Sequence, residues 1–132
     1  MTDLSLDRAR GILDAALAAA RDAGVPFSIA VVDAGGHLKA FFSQDGATLG
    51  SIDIAVRKAR TAQLFRMPTG TLGRYSQPGG ALYGIELTNG GLVTFPGGTP
   101  LMADTTLLGA IGVSGGLPEQ DHSVATAGAA AL

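Results

Sequence analysis

The polar residues whose types and spacing suit chemistry fall into three groups. Asp33 and His37 flank Ala34-Gly35-Gly36, so a turn there would bring a carboxylate beside an imidazole, a pairing fit for a general base. The simpler alternative is an aspartate capping the turn's N–H groups beside an exposed histidine. Lys58 and Arg60 stand among small residues in VRKARTAQ (56–63), where a long cation bordering an apolar cleft could hold an anion. The run GAIGVSGG (109–116) breaks into Ser114, Gly115 and Gly116, and Pro118, Glu119 and Asp121 then mark a helix start. Backbone N–H groups at such a junction could receive a carboxylate, a phosphate or a developing oxyanion. A tight strand-to-helix connection without a ligand explains the same residues. In an enzyme acting on a small carbonyl or carboxylate compound, the catalytic set would be Asp33 or His37 as base with Lys58 holding the anion. In a binding protein, His37, Lys58, Arg60, Ser114, Gly115, Gly116 and Asp121 would line one cleft.

Composition removes several classes. The chain has no cysteine, so disulfides and thiolate chemistry are excluded, and two histidines are too few for a three-histidine metal site. No metal site is expected. Nine basic and eleven acidic side chains leave a net charge of −2, without the basic footprint of a nucleic-acid binder. Gly109, Gly112 and Gly115 do not make a dinucleotide fingerprint, because no second βαβ unit can follow before the chain stops. No Gly-Lys-Ser/Thr occurs, which excludes a P-loop, and Ser114 lacks the G-x-S-x-G spacing of a nucleophile elbow. The longest uncharged stretch, Leu87 to Ala103, is cut by four glycines and two prolines, so no membrane helix is expected. The first residues lack a basic-then-apolar leader, which makes the cytoplasm the expected compartment.

A chain of 132 residues suits a single domain spanning 1–132. Ser5 and the stripe Leu6, Ala9, Ile12, Leu13, Ala16, Leu17 and Ala20 predict a helix stopped by Gly24. The runs 27–33 and 37–42 predict a hairpin with Ala40 and Phe42 on one face and Lys39 and Phe41 on the other. Ser51 to Arg66 predicts a second helix, capped by Ser51, with Ile52, Ala55, Val56, Ala59 and Ala62 buried. Residues 67–80 read as a short helical turn and a loop carrying Arg74. A second hairpin is expected from Leu82–Leu87 and Leu92–Phe95 around Asn89-Gly90-Gly91, then a strand ending at Val113, then a close-packed helix from Pro118 to about Ala130. Helices and antiparallel strands in this order define an α+β domain. Apolar residues make up 46% and charged ones 15%, more apolar surface than a small monomer shows, so a homo-oligomer is expected.

Several segments then resemble a known family. VVDAGGHLKAF (31–41), DGA (45–47), SIDIAVRKARTA (51–62), FPGGTPL (95–101) and GAIGVSGGLPEQD (109–121) are similar to the GlcG/HbpS-like family of haem-binding or haem-degrading domains. The match runs through nearly the whole chain in the right order. It implies a profilin-like five-stranded antiparallel sheet flanked by helices on both sides, and assembly into dimers or larger rings up to octamers. It also implies a small-molecule ligand, haem or a related tetrapyrrole. His37 or, second to it, His122 would be the axial ligand, with Lys58, Arg60 or Arg74 meeting the propionates. Two positions depart from the family: Ser43-Gln44 replaces the usual Arg-Met before Asp-Gly-Ala, and Asp104-Thr105-Thr106 replaces an acidic-glycine turn.

Overall fold

The computed structural model describes residues 2–132. Helix α1 spans Leu6–Ala23; the Ser5 hydroxyl accepts from the Arg8 amide, and Gly24 closes the helix in the left-handed conformation. The first hairpin is β1 (Ser28–Asp33) and β2 (Leu38–Ser43). Helix α2 (Gly50–Phe65) follows, then the short α3 (Thr69–Tyr75). Two further strands, β3 (Gly98–Ala103) and the longer β4 (Thr106–Ser114), precede α4 (Pro118–Ala129). All strand pairs are antiparallel, in the order β2-β1-β4-β3.

Alternation along the strands separates two layers. Ile29, Val31, Ile111 and Val113 point to one face and pack with Ala9, Ile12, Ala16 and Ala20 of α1 and Val124 and Ala125 of α4. Ala30, Val32 and Ala110 point to the other and meet Ala55, Ala59 and Ala62 of α2. Ala40 and Phe42 join the first layer and Phe41 the second, as period-2 counting requires. Helices therefore cover both faces. The alanine stripe lets α2 approach so closely that a Cβ on Gly112 would overlap the Ala55 carbonyl and lie 2.5 Å from the Ala59 nitrogen. Gly128 plays the same part in α4, where a Cβ would lie 2.6 Å from Ile111 Cδ1 and 3.1 Å from Ala16 Cβ.

The sheet has four strands, not the expected five. The predicted second hairpin does not form: Ile85–Leu87 is a single 3-10 turn and residues 91–94 adopt no regular element. The β-rich composition of Leu92–Phe95 is overridden because its bonds go to the Glu86 carbonyl of the preceding turn and to hydroxyls of α2 and the α3 region instead of to a partner strand. The Thr61 hydroxyl accepts from the Val93 amide, Ser76 bonds the Thr94 hydroxyl, and Thr69 donates to the Phe95 carbonyl. Arg57 donates to the carbonyls of Gly90 and Gly91 and fixes the loop before them. The stripe of α2 also differs from expectation. Ser51, Ala55, Lys58, Thr61 and Ala62 are buried, whereas Ile52 is partly exposed. Ser51 is not the cap; its hydroxyl donates to the Thr48 carbonyl and bonds the buried Ser28 hydroxyl.

Candidate functional site

The three groups of candidate residues occupy different parts of the fold. At the β1–β2 turn, one Asp33 carboxylate oxygen accepts from the amides of Gly35 at 2.9 Å and His37 at 3.0 Å, and lies 3.3 Å from His37 Nδ1. The aspartate is thus the cap of its own turn, and the His37 side chain is 82% exposed. Asp3 straps the chain's start to the same turn through the amide of Ala34. Strand register sets this turn apart from the Ser114 end. Asp33 pairs with Gly109 and Ser28 with Ser114, five residues along the strand, or about 17 Å. Asp33 and His37 therefore do not share a cleft with Ser114, Gly115 and Gly116.

Lys58 is fully buried between α2 and the end of β4. Its ammonium donates to the Val113 carbonyl at 2.8 Å and to Asp121 Oδ2 at 2.9 Å, and lies 4.8 Å from the centre of the Phe95 ring. Asp121 uses its other oxygen to accept from the Gly116 amide at 2.9 Å. Burial pushes the Lys58 amine below its ordinary range and the Asp121 carboxyl above its own, while their mutual hydrogen bond opposes both shifts. Gly97 makes room for the pair: a Cβ there would sit 2.6 Å from Lys58 Nζ and 2.5 Å from the Val113 oxygen. Lys58 is accordingly not a cation bordering an open cleft. The junction offers no vacant anion nest at Gly116 either, because Asp121 takes that amide and Gln120 takes that of Leu117. Gly115 is needed for packing, since a Cβ there would lie 2.6 Å from the Pro26 carbonyl oxygen. Ser114 is buried at the strand end, and Arg60 is half-buried with no hydrogen bond or ion pair among the described residues.

The cleft with the richest chemistry lies between α3 and the first turn of α4. It is an open groove of about 510 Å³ lined by Pro68, Gly70, Thr71, Arg74, Pro96, Glu119 and His122, with Arg74, Glu119 and His122 reaching solvent, a size that suits a small-molecule site. Neither the His122 imidazole nor the Arg74 guanidinium bonds another side chain or backbone group among the described residues. Thr69 anchors its wall, donating to the Phe95 carbonyl at 2.8 Å and accepting from the Gly98 amide at 2.9 Å. A second depression of about 500 Å³ beside the end of α1 has Arg21 and Asp45 but no imidazole. The sequence names Arg74 and His122 as second choices for one haem site, behind Lys58 and His37, but gives no site role to Pro68, Pro96 or Glu119. The signal available was Pro-Gly spacing in MPTG and FPGG, which limits the chain to close crossings. Among the described residues, no cluster of three His or carboxylate side chains could hold a metal ion, and no helix is long and apolar enough to cross a membrane.

A sandwich of helices on an antiparallel sheet, with an imidazole-bearing cleft at its end, defines a small α+β domain. The chain belongs to the haem-degrading protein HbpS-like family, whose model matches residues 4–130. It is 39% identical over 123 residues to an uncharacterised 15.0 kDa protein of the dhaT-dhaS intergenic region of Citrobacter freundii, covering 92% of this chain and 87% of that protein. It is also 38% identical over 130 residues to the corrinoid adenosyltransferase PduO of Citrobacter freundii. That match covers 98% of this chain but spans only 39% of PduO. Among solved structures, a PduOC:haem complex superposes with a TM-score of 0.94 at 37% identity, covering 98% of this chain and 95% of that one. The resemblance noted in the sequence is borne out along the chain.

Proposed function

We propose that this protein binds a small molecule, haem or a related tetrapyrrole, in the Arg74–His122 cleft. The observation that carries the proposal is an imidazole and a guanidinium, both without partners among the described residues, on the walls of one ligand-sized cleft. Haem requires an apolar slot, a donor for its iron and cations for its propionates. Pro68 and Pro96 supply the slot, His122 the donor and Arg74 the cation. Bound haem would supply an iron centre open to an axial ligand; the protein's part is to hold and orient it. The haem-bound relative PduOC supports the ligand class. His37, the preferred donor from sequence, gives way to His122 because its Nδ1 lies 3.3 Å from Asp33, whereas His122, equally in reach of solvent, lines the cleft with no side-chain partner among the described residues. No observation favours acid/base catalysis by Asp33, His37 and Lys58: Lys58 bonds Val113, four residues along the strand from the Asp33 partner Gly109.

The protein acts as a single-domain homo-oligomer, from dimer to octamer, in the cytoplasm. Support comes from large apolar side chains left in solvent, with Leu49 at 87%, Leu87 at 90% and Leu117 at 63% exposure, and from the absence of cysteine. Haem titration followed by absorbance tests the ligand. The parent and His37→Ala are expected to shift the Soret band, and His122→Ala to lose that shift. No Soret change in the parent, or one retained in His122→Ala, would overturn the assignment.

A further inference from the structure

We infer that Lys58 is a positioning residue for the cleft, acting through Asp121 and the Phe95–Gly97 strip without itself touching a ligand; this rests on the proposed role of His122. The ammonium is where three pieces of the cleft's frame converge. Asp121 immediately precedes His122 in the first turn of α4, and its carboxylate is fixed from one side by Lys58 and from the other by the Gly116 amide. The Val113 carbonyl, also bonded to Lys58, lies one residue before the end of the strand that leads into that turn, and the Val113 amide bonds the Gly97 carbonyl next to Pro96. The Phe95 ring stacks over the same ammonium. Pro96 and His122 form two walls of the cleft, so a single side chain from α2 sets the distance between them. An apolar side chain of similar length keeps the packing but cannot bond Asp121 and Val113, and the first turn of α4 is then free to shift.

Two histidines at separate places in the fold give an internal control. Diethyl pyrocarbonate modification, read at each histidine by mass spectrometry, reports His122 against His37, which stands on the far turn, in the same molecule; both are exposed, so both react in the parent. In Lys58→Met the ratio of His122 to His37 modification is expected to change while the far-UV spectrum stays native. Haem affinity is expected to fall about tenfold or more, as when an outer partner of a metal ligand is lost. If Lys58→Met does not fold, Asp121→Asn carries the same expectation, since it keeps an acceptor for Gly116 while weakening the link to Lys58. An unchanged modification ratio in the folded variant overturns the inference, whatever haem does. Should the parent protein itself fail to bind haem, the proposed ligand falls, and the modification ratio still decides the role of Lys58.

Discussion

Replacing Gly112 by alanine is expected to destabilise the protein, whereas the same replacement at Gly11 stabilises it. The added Cβ at position 112 would meet the Ala55 carbonyl and the Ala59 nitrogen of α2, the latter at 2.5 Å. Both are backbone atoms of a regular helix, so no rotamer change relieves the overlap. Restoring an ordinary contact requires moving α2 off the sheet by roughly 1 Å, which loosens the dispersion contacts of its alanine stripe. Overpacking of this kind costs about 1–3 kcal/mol, toward the upper end where backbone must move. For a chain of this length that corresponds to a fall in melting temperature on the order of 10 °C. At Gly11 a Cβ meets nothing within 4 Å, and removing a glycine from a helix interior gains about 0.5–1 kcal/mol. Urea denaturation of both variants measures the difference. A Gly112→Ala protein as stable as the parent would mean that α2 does not lie on β4 as described, and equal shifts of one sign in both variants would refute the packing argument.

The remaining predictions concern the polar anchors. Thr69→Val keeps the side chain's volume but leaves the Phe95 carbonyl and Gly98 amide without their partner; a loss of about 2–4 kcal/mol in urea denaturation is expected, and a neutral result would remove Thr69 as the anchor of the wall. Burial lowers the Lys58 amine below the unfolded value of 10.5, so between the two values the unfolded chain holds more protons and stability rises with pH. The stability difference between the parent and Lys58→Met is therefore expected to grow in the parent's favour as pH rises through that window toward 10.5, and a flat difference counts against a buried ammonium. Amide donation from Ala34, then Leu4, holds the Asp3 carboxyl below 3.8. Its contribution is present above that value and lost as pH falls through the folded one, so Asp3→Asn is expected to lose less stability than the parent on acidification, as followed by fluorescence or circular dichroism.

What could be read from the sequence was what local physics decides. Ser5 and Gly24 bound α1, and the alternation in 27–42 set both faces of the first hairpin. The small residues of GAIGVSGG foretold close contact, and the partner proved to be the backbone of α2 at Gly112 and of Pro26 at Gly115. Leu92–Phe95 was misread as a strand because its bonds go to hydroxyls of Thr61, Thr69 and Ser76, which are distant in sequence. Lys58 does not border an open cleft as its small-residue surroundings suggested, because it points into the interior. The spacing 51-55-58-62 already placed it on the buried stripe, and only Asp121, from another element, makes that burial tolerable. The cleft was illegible for the same reason: Arg74 and His122 meet through the crossing of α3 over the Phe95–Gly98 strip, which no local pattern encodes.

That strip has a further consequence. From Val93 to Pro96 it contributes no rung to the sheet and is tied to the helices through side-chain hydroxyls and the Phe95 contact with Lys58. The wall and the sheet are thus fastened by different bonds, and the wall can peel back while every strand ladder stays closed. In amide exchange the Val93 proton, bonded only to a threonine hydroxyl, would trade with solvent by a local opening far less costly than the one that frees Ile111 in the centre of β4.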